Sequence, residues 1–264
     1  MQGTDLLSLI YGLLVGASLG LTGGGGSIFA VPLLLYGLHV PVGTAVGLSL
    51  ATVGATAGFG AALRARRGEL EWRAGLLFAA GGMIAAPPGA ALGRLLPPAA
   101  LVSAFALLMI YTGWRLWRGR ATEEGQSASR CVARGRGNFG PECYLRLGAA
   151  GAAAGLLSGL FGVGGGFIIV PALLFVTGMS IHRAVATSLL VIFLISLSGV
   201  TAQVLHGQQF PMPLSVIFPL GGCLGMLLGT RLRSRLHGAT LQRVFAAGMW
   251  IVALWMLVKT ALAA

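Results

Sequence analysis

Charge is what this sequence has least of. Asp, Glu, Lys and Arg make up 9% of its 264 residues, against roughly 25% in a soluble protein. So few cannot cover a water-exposed surface, and 56% of the residues are hydrophobic. Acid is scarcest: Asp5, Glu69, Glu71, Glu123, Glu124 and Glu142 are all of it, and each lies at the terminus or between apolar runs. A proton relay through carboxylates within the bilayer is thereby disfavoured. Three cysteines (Cys131, Cys143 and Cys223) set no disulfide framework and no metal pattern, and are expected to be reduced bystanders. His39, His182, His206 and His237 stand between the apolar runs, which argues against haem ligation in the membrane. No cofactor or metal is expected. No basic stretch precedes Leu6, so a cleaved leader is not expected and the start reads as spanning sequence.

What is abundant is apolar length and glycine. The 43 glycines would weaken soluble helices, but in lipid they let helix backbones approach closely. Ten apolar segments can be read, at 6–22, 27–38, 44–63, 72–92 and 99–117, then 144–161, 167–178, 184–205, 212–232 and 241–262. Most approach the ~20 residues needed to cross a bilayer. The second of each five is too short and reads as a half-helix. The net charge of +12 sits in the gaps between segments, with no aromatic and basic face for nucleic acid, so none is expected as a partner.

The two sets of five match each other. Pro171 and Pro32 differ by 139, and at that offset Gly12, Gly16, Gly20, Gly23, Gly25 and Gly26 fall on Gly151, Gly155, Gly159, Gly162, Gly164 and Gly165. Ser49-Leu50 falls on Ser188-Leu189, and with one more residue Gly81-Gly82 falls on Gly221-Gly222. An internal duplication follows: a first transmembrane repeat over 1–117, a linker over 118–143 and a second repeat over 144–264. Arg64, Arg66, Arg67 and Arg73 mark the loop after the third segment, whereas its counterpart from His206 to Pro213 has no Lys or Arg. The next loop reverses the bias, with Arg94 alone against Arg231, Arg233, Arg235 and Arg243. Because positive loops stay in the cytoplasm, equivalent loops lie on opposite sides. The expected fold is an all-α polytopic membrane protein of two inverted-topology repeats, with the Gly-, Ser- and Arg-rich linker a mobile cytoplasmic connector. A re-entrant pair followed by three spans, or five full crossings per repeat, would both satisfy the charges.

The residues richest in chemistry are two glycine stretches, Gly23-Gly24-Gly25-Gly26-Ser27 and Gly162-Val163-Gly164-Gly165-Gly166. Each stands between a near-full span and a short segment. Consecutive glycines break a helix, and irregular backbone at membrane depth survives only inside protein or beside a wet cavity. The breaks are expected to open helix N-termini at Ser27 and Gly166, whose free N–H groups and positive dipole end suit an anion. The candidate substrate residues are therefore Gly23, Gly24, Gly25, Gly26, Ser27, Gly162, Gly164, Gly165 and Gly166. No Gly-Lys-Ser/Thr follows either stretch, which excludes a P-loop, and Ile28 and Phe167 spoil a dinucleotide fingerprint. Ser49 and Ser188 add hydroxyl donors from the third and eighth segments, near Thr52, Thr56 and Gln203.

Two copies of a glycine cluster, an apolar stretch with Pro, and an Ala-Val/Ser-Leu segment resemble the TauE/SafE family of sulfite exporters, also called the 4-toluene sulfonate uptake permeases. The resemblance covers the chain from Leu6 to Leu262. It implies a secondary transporter, exporter or permease, for small sulfur-containing anions such as sulfite or organosulfonates in the bacterial inner membrane. A passive anion channel is the alternative, and an intramembrane enzyme acting on lipid phosphate a weaker one, lacking a visible acid, base or nucleophile set. The partners expected are the anion and the bilayer, with oligomeric state, a homo-oligomer included, left open.

Overall fold

The structure, a computed structural model, describes residues 2–117, 141–207, 212–233 and 238–263. Among them are ten helical segments and no strand. They are α1 (Gln2–Thr22); α2, made of a 3-10 turn (Gly25–Phe29), an α turn (Ala30–Pro32) and a π turn (Leu33–Gly37); α3 (Val42–Ala65); α4 (Trp72–Leu95); α5 (Pro98–Trp117); α6 (Pro141–Phe161); α7 (Gly166–Thr177); α8 (Ile181–Leu205); α9 (Met212–Arg233); and α10 (Gly238–Ala263). Five of these helices are long and apolar enough to cross a membrane (α3, α4, α6, α8 and α9). The linker expected over 118–143 falls almost wholly outside the described residues. Cys143, at the start of α6, is disulfide-bonded, which corrects the expectation of a reduced thiol. Its partner lies outside the described residues, and no spacing pattern in the sequence signalled the bond.

The halves are not side by side but interleaved. The broadest contacts join α1 to α9 and α4 to α6, while α3 pairs with α8 and α5 with α10. Under the offset that maps one half on the other, the α1–α9 and α4–α6 pairings exchange, while α3–α8 and α5–α10 each map onto themselves. In α1, Gly12, Gly16 and Gly20 lie on the main chain of Phe218, Gly222 and Met226; in α6, Gly151, Gly155 and Gly159 lie on that of Phe78, Gly82 and Ala86. A Cβ at any of these would strike a carbonyl oxygen, so small residues are required where the backbones touch. Outward faces carry large apolar side chains, Ile84 77% and Ile251 70% exposed, as lipid contact requires. The molecule is an integral membrane protein.

Neighbouring glycines give the helix directions. Along the α3–α8 interface Leu50 meets Gly199, Gly54 meets Ser196, Gly58 meets Phe193 and Gly60 meets Leu189. One number rises as the other falls, so these two helices, equivalent in sequence, run in opposite directions. After Gly23 the chain turns back, and Gly37 comes to rest against the Tyr11 ring, so α1 and α2 form a re-entrant pair.

Candidate functional site

Helix α1 stops at Gly23 (φ 75°) and α6 at Gly162 (φ 71°), each N–H still bonded four residues back to Leu19 and Ser158. Neither glycine stretch is wound into continuous helix. Beyond these stops the two breaks reach each other: a Cβ on Gly24 would lie 2.6 Å from the Gly166 carbonyl oxygen, and one on Gly166 would lie 2.5 Å from Gly24 Cα. Gly23, Gly24, Gly162, Gly164, Gly165 and Gly166 are buried. Only chains without Cβ can pack this tightly.

The hydroxyls of Ser49 and Ser188 hold this arrangement from across the molecule. Ser49 on α3 donates to the Gly162 carbonyl at 2.5 Å, and Ser188 on α8 donates to the Gly23 carbonyl at 2.7 Å. Each serine thus satisfies the last carbonyl of the other repeat's broken helix, which would otherwise be an orphan in a dry interior. Both serines are fully buried. Their hydroxyl protons are spent on the protein, which makes them clamps on the breaks.

The two breaks are not alike. The first enters a 3-10 turn, and the Ser27 hydroxyl donates to the Gly24 carbonyl at 2.8 Å within its own turn. The expected helix N-terminus at Ser27 is therefore not a regular α-helical start. The second break has Gly164 and Gly165 in the left-handed region (φ 69° and 66°) and then launches the regular twelve-residue α7 with Gly165 as N-cap. Two successive left-handed residues are affordable only to glycine. At the start of α7 the Ile168 and Ile169 amides bond the Gly165 carbonyl, and the Gly166 and Phe167 amides are the ones to which the helix itself offers no acceptor.

Beside this second break stand two hydroxyls that the sequence reading passed over. Ser196 Oγ would be 3.5 Å from a Cβ on Gly164, and Ser158 Cβ would be 3.6 Å from one on Gly165. Both side chains are fully buried and their oxygens have no hydrogen-bond partner, as is also true of Thr52 and Thr56 on α3. A signal was present: Ser196 lies two turns after Ser188, and Ser158 one turn before Gly162.

Two cavities flank the breaks without touching them. One, of about 230 Å³, is lined at one end of the molecule by Val42, Val46, Arg94, Gly159 and Gln203 among others. The other, of about 830 Å³, opens at the opposite end between Gly60, Arg64, Arg67, Glu69, His182, Arg183 and Arg231. Gln203 and Arg64 are equivalent positions of the two repeats, so the cavities are counterparts, one nearly neutral and one strongly basic. Arg64 faces Glu69 at 3.9 Å and Arg183 faces Glu71 at 3.3 Å. Trp72, Trp114, Trp117 and Trp255 are exposed on outward faces, and Trp250 donates to the Ile110 carbonyl at 3.2 Å where α10 crosses α5.

Comparison with known proteins accords with this architecture. The family model described as sulfite exporter TauE/SafE matches residues 8–256. A probable membrane transporter protein of Xylella fastidiosa (strain 9a5c) is 36% identical over 255 residues, covering 96% of this chain and 94% of the relative. One from Haemophilus influenzae is 30% identical over 275 residues, covering 96% and 98%. The probable membrane transporter protein YdhB of Bacillus subtilis is 28% identical over 209 residues, covering 76% and 80%. No solved structure matches. With the family model spanning nearly the whole chain and the relatives matched almost end to end, the protein belongs to the TauE/SafE family of membrane transporters.

Proposed function

We propose that this transporter moves small sulfur-containing oxyanions, sulfite or a short organosulfonate, and holds them at the second glycine break. The reading is carried by one observation: two buried, unpartnered hydroxyls, Ser158 and Ser196, stand beside the left-handed glycines that open α7. A buried hydroxyl without a partner costs about 1–3 kcal/mol, and an oxyanion would relieve two of them at once. The amides at the α7 N-terminus and its dipole complete a set of neutral donors. Donors without formal charge suit a transported ion, since they can hold it without trapping it. The family's description as sulfite exporters supports sulfur at the centre of the anion.

In this arrangement the breaks are pressed together at Gly24 and Gly166, so the solute can reach the donors only when the halves part. The opposed directions of α3 and α8 support an inverted repeat, the architecture in which one half rocks against the other about a central site. The cluster Arg64, Arg67, Arg183 and Arg231 at one end supports that end as cytoplasmic.

Purified protein in liposomes, offered labelled sulfite, a short alkylsulfonate and phosphate, tests this. Saturable uptake of the sulfur anions that phosphate fails to compete supports the reading. Flux no greater than in protein-free liposomes overturns it, and flux linear in concentration indicates a channel.

A further inference from the structure

The basic cavity and the glycine breaks are joined by one face of one helix. Ser49, Thr52, Thr56 and Gly60 follow at spacings of three, four and four along α3, which puts them on a single stripe. The stripe begins at the clamp on the Gly162 carbonyl and ends at Gly60, a wall of the basic cavity. Between those points Thr52 and Thr56 are fully buried with unpartnered hydroxyls. Opposite them α9 presents Gly222, where a Cβ would collide with Thr56 Oγ1 and come within 3.5 Å of Thr52 Cγ2. The end nearest the cavity is stoppered by the flexible Met226 side chain and by Leu189, which press on Gly60. At the equivalent positions α8 carries Ser188, Val191, Ile195 and Gly199, and Ile195 packs on Gly82, the counterpart of Gly222. The polar stripe is thus built on one repeat alone, and it leads to the charged mouth alone.

We infer that the Thr52–Thr56 face of α3 is the route by which a small oxyanion passes between the Arg64 mouth and the glycine breaks, with Met226 and Leu189 as its movable plug. This rests on the anion-transport reading above. Arg67, Arg231, His182 and Arg183 gather the anion at the mouth; the threonine hydroxyls replace its water as it descends. An anion at such a mouth could be the free solute or a lipid headgroup, and the test separates them.

The test uses cysteines in a variant whose three native ones are Ser, reconstituted in nanodiscs. Thr56→Cys is expected to react with an anionic methanethiosulfonate (the ethylsulfonate reagent) about tenfold faster than with the cationic trimethylammonium one, on the scale of charge focusing in clefts. Arg67→Gln should pull that ratio towards one, and Met226→Ala should speed the reaction several-fold. Ile195→Cys should react with neither reagent. An unreactive Thr56→Cys beside a reactive Arg67→Cys control, or equal reaction at Thr56→Cys and Ile195→Cys, overturns the route. Because labelling needs no transport, that failure is distinct from a failure of the liposome assay. The anionic preference should persist when phosphatidylglycerol replaces a zwitterionic lipid; its collapse would mean that headgroups own the mouth, and would overturn the assignment.

Discussion

Among the described residues four buried hydroxyls lack a hydrogen-bond partner, and the other buried serines show how unusual that is. Ser49, Ser188 and Ser27 each spend their proton on a main-chain carbonyl; Ser158, Ser196, Thr52 and Thr56 do not. A buried hydroxyl without a partner calls for an explanation, and a bound oxyanion is the one we propose. Ser196→Ala should therefore raise the thermal midpoint, by an amount corresponding to about 1 kcal/mol, while sharply reducing sulfite uptake. Ser49→Ala should do the reverse for the fold, lowering stability by about 1–2 kcal/mol because the Gly162 carbonyl loses its donor. Thermal unfolding of the two variants beside their transport rates checks both signs; a stability loss in Ser196→Ala would remove the argument for a ligand there. Sequence reading found Ser49 and Ser188 because duplication aligned them, though it could not say which carbonyls they bond. It missed Ser158 and Ser196 because their counterparts are Leu19 and Ala57, and a search built on repetition is blind to what only one copy has.

At the scale of the elements, the places where helices end were legible and the way the chain resumes was not. Runs of glycine beside short apolar segments announced both breaks. Nothing in composition distinguished the 3-10 and π winding of α2 from the regular α7, since both contain Pro after a glycine cluster; the difference lies in the Ser27 bond to its own turn and the two left-handed residues at Gly164 and Gly165. The small-residue faces of α1 and α6 behaved as their spacing implied, with backbones in contact. Gly155 faces the Gly82 carbonyl so closely that no side chain fits. Gly155→Val should push α6 off α4 and leave little folded protein by size-exclusion profile, whereas Gly148→Ala on the same helix, with nothing within 4 Å of its added Cβ, should fold normally. Equal behaviour of the two would mean that the α4–α6 contact is not what assembles the halves.

For the molecule as a whole, the charge pattern predicts that corresponding loops fall on opposite sides, and the contacts give α3 and α8 opposed directions. The interleaving of the halves, α1 on α9 and α4 on α6, was beyond any reading of one strand of sequence, because both pairings join segments far apart that carry only glycine in common. Sidedness has two indicators that disagree. The arginines around the basic cavity favour the cytoplasm, while the disulfide at Cys143 favours an oxidising compartment. Several arginines at the ends of three helices outweigh one bond that cytosolic thiols can open, so Arg67→Cys should be labelled from the cytoplasmic face of inside-out vesicles and Arg94→Cys from the other. Labelling of both from one face would contradict the topology.

The account stands on an oxyanion being held by Ser158, Ser196 and the first amides of α7. Selenite has the shape and charge of sulfite and scatters anomalously, so a crystal of the protein grown with it can display the site directly. The expected result is an anomalous peak within hydrogen-bond distance of both serine hydroxyls and of the Gly166 amide, with Gly24 moved away from Gly166. A peak elsewhere in the molecule, with the serines still unpartnered and the breaks still pressed together, would contradict it.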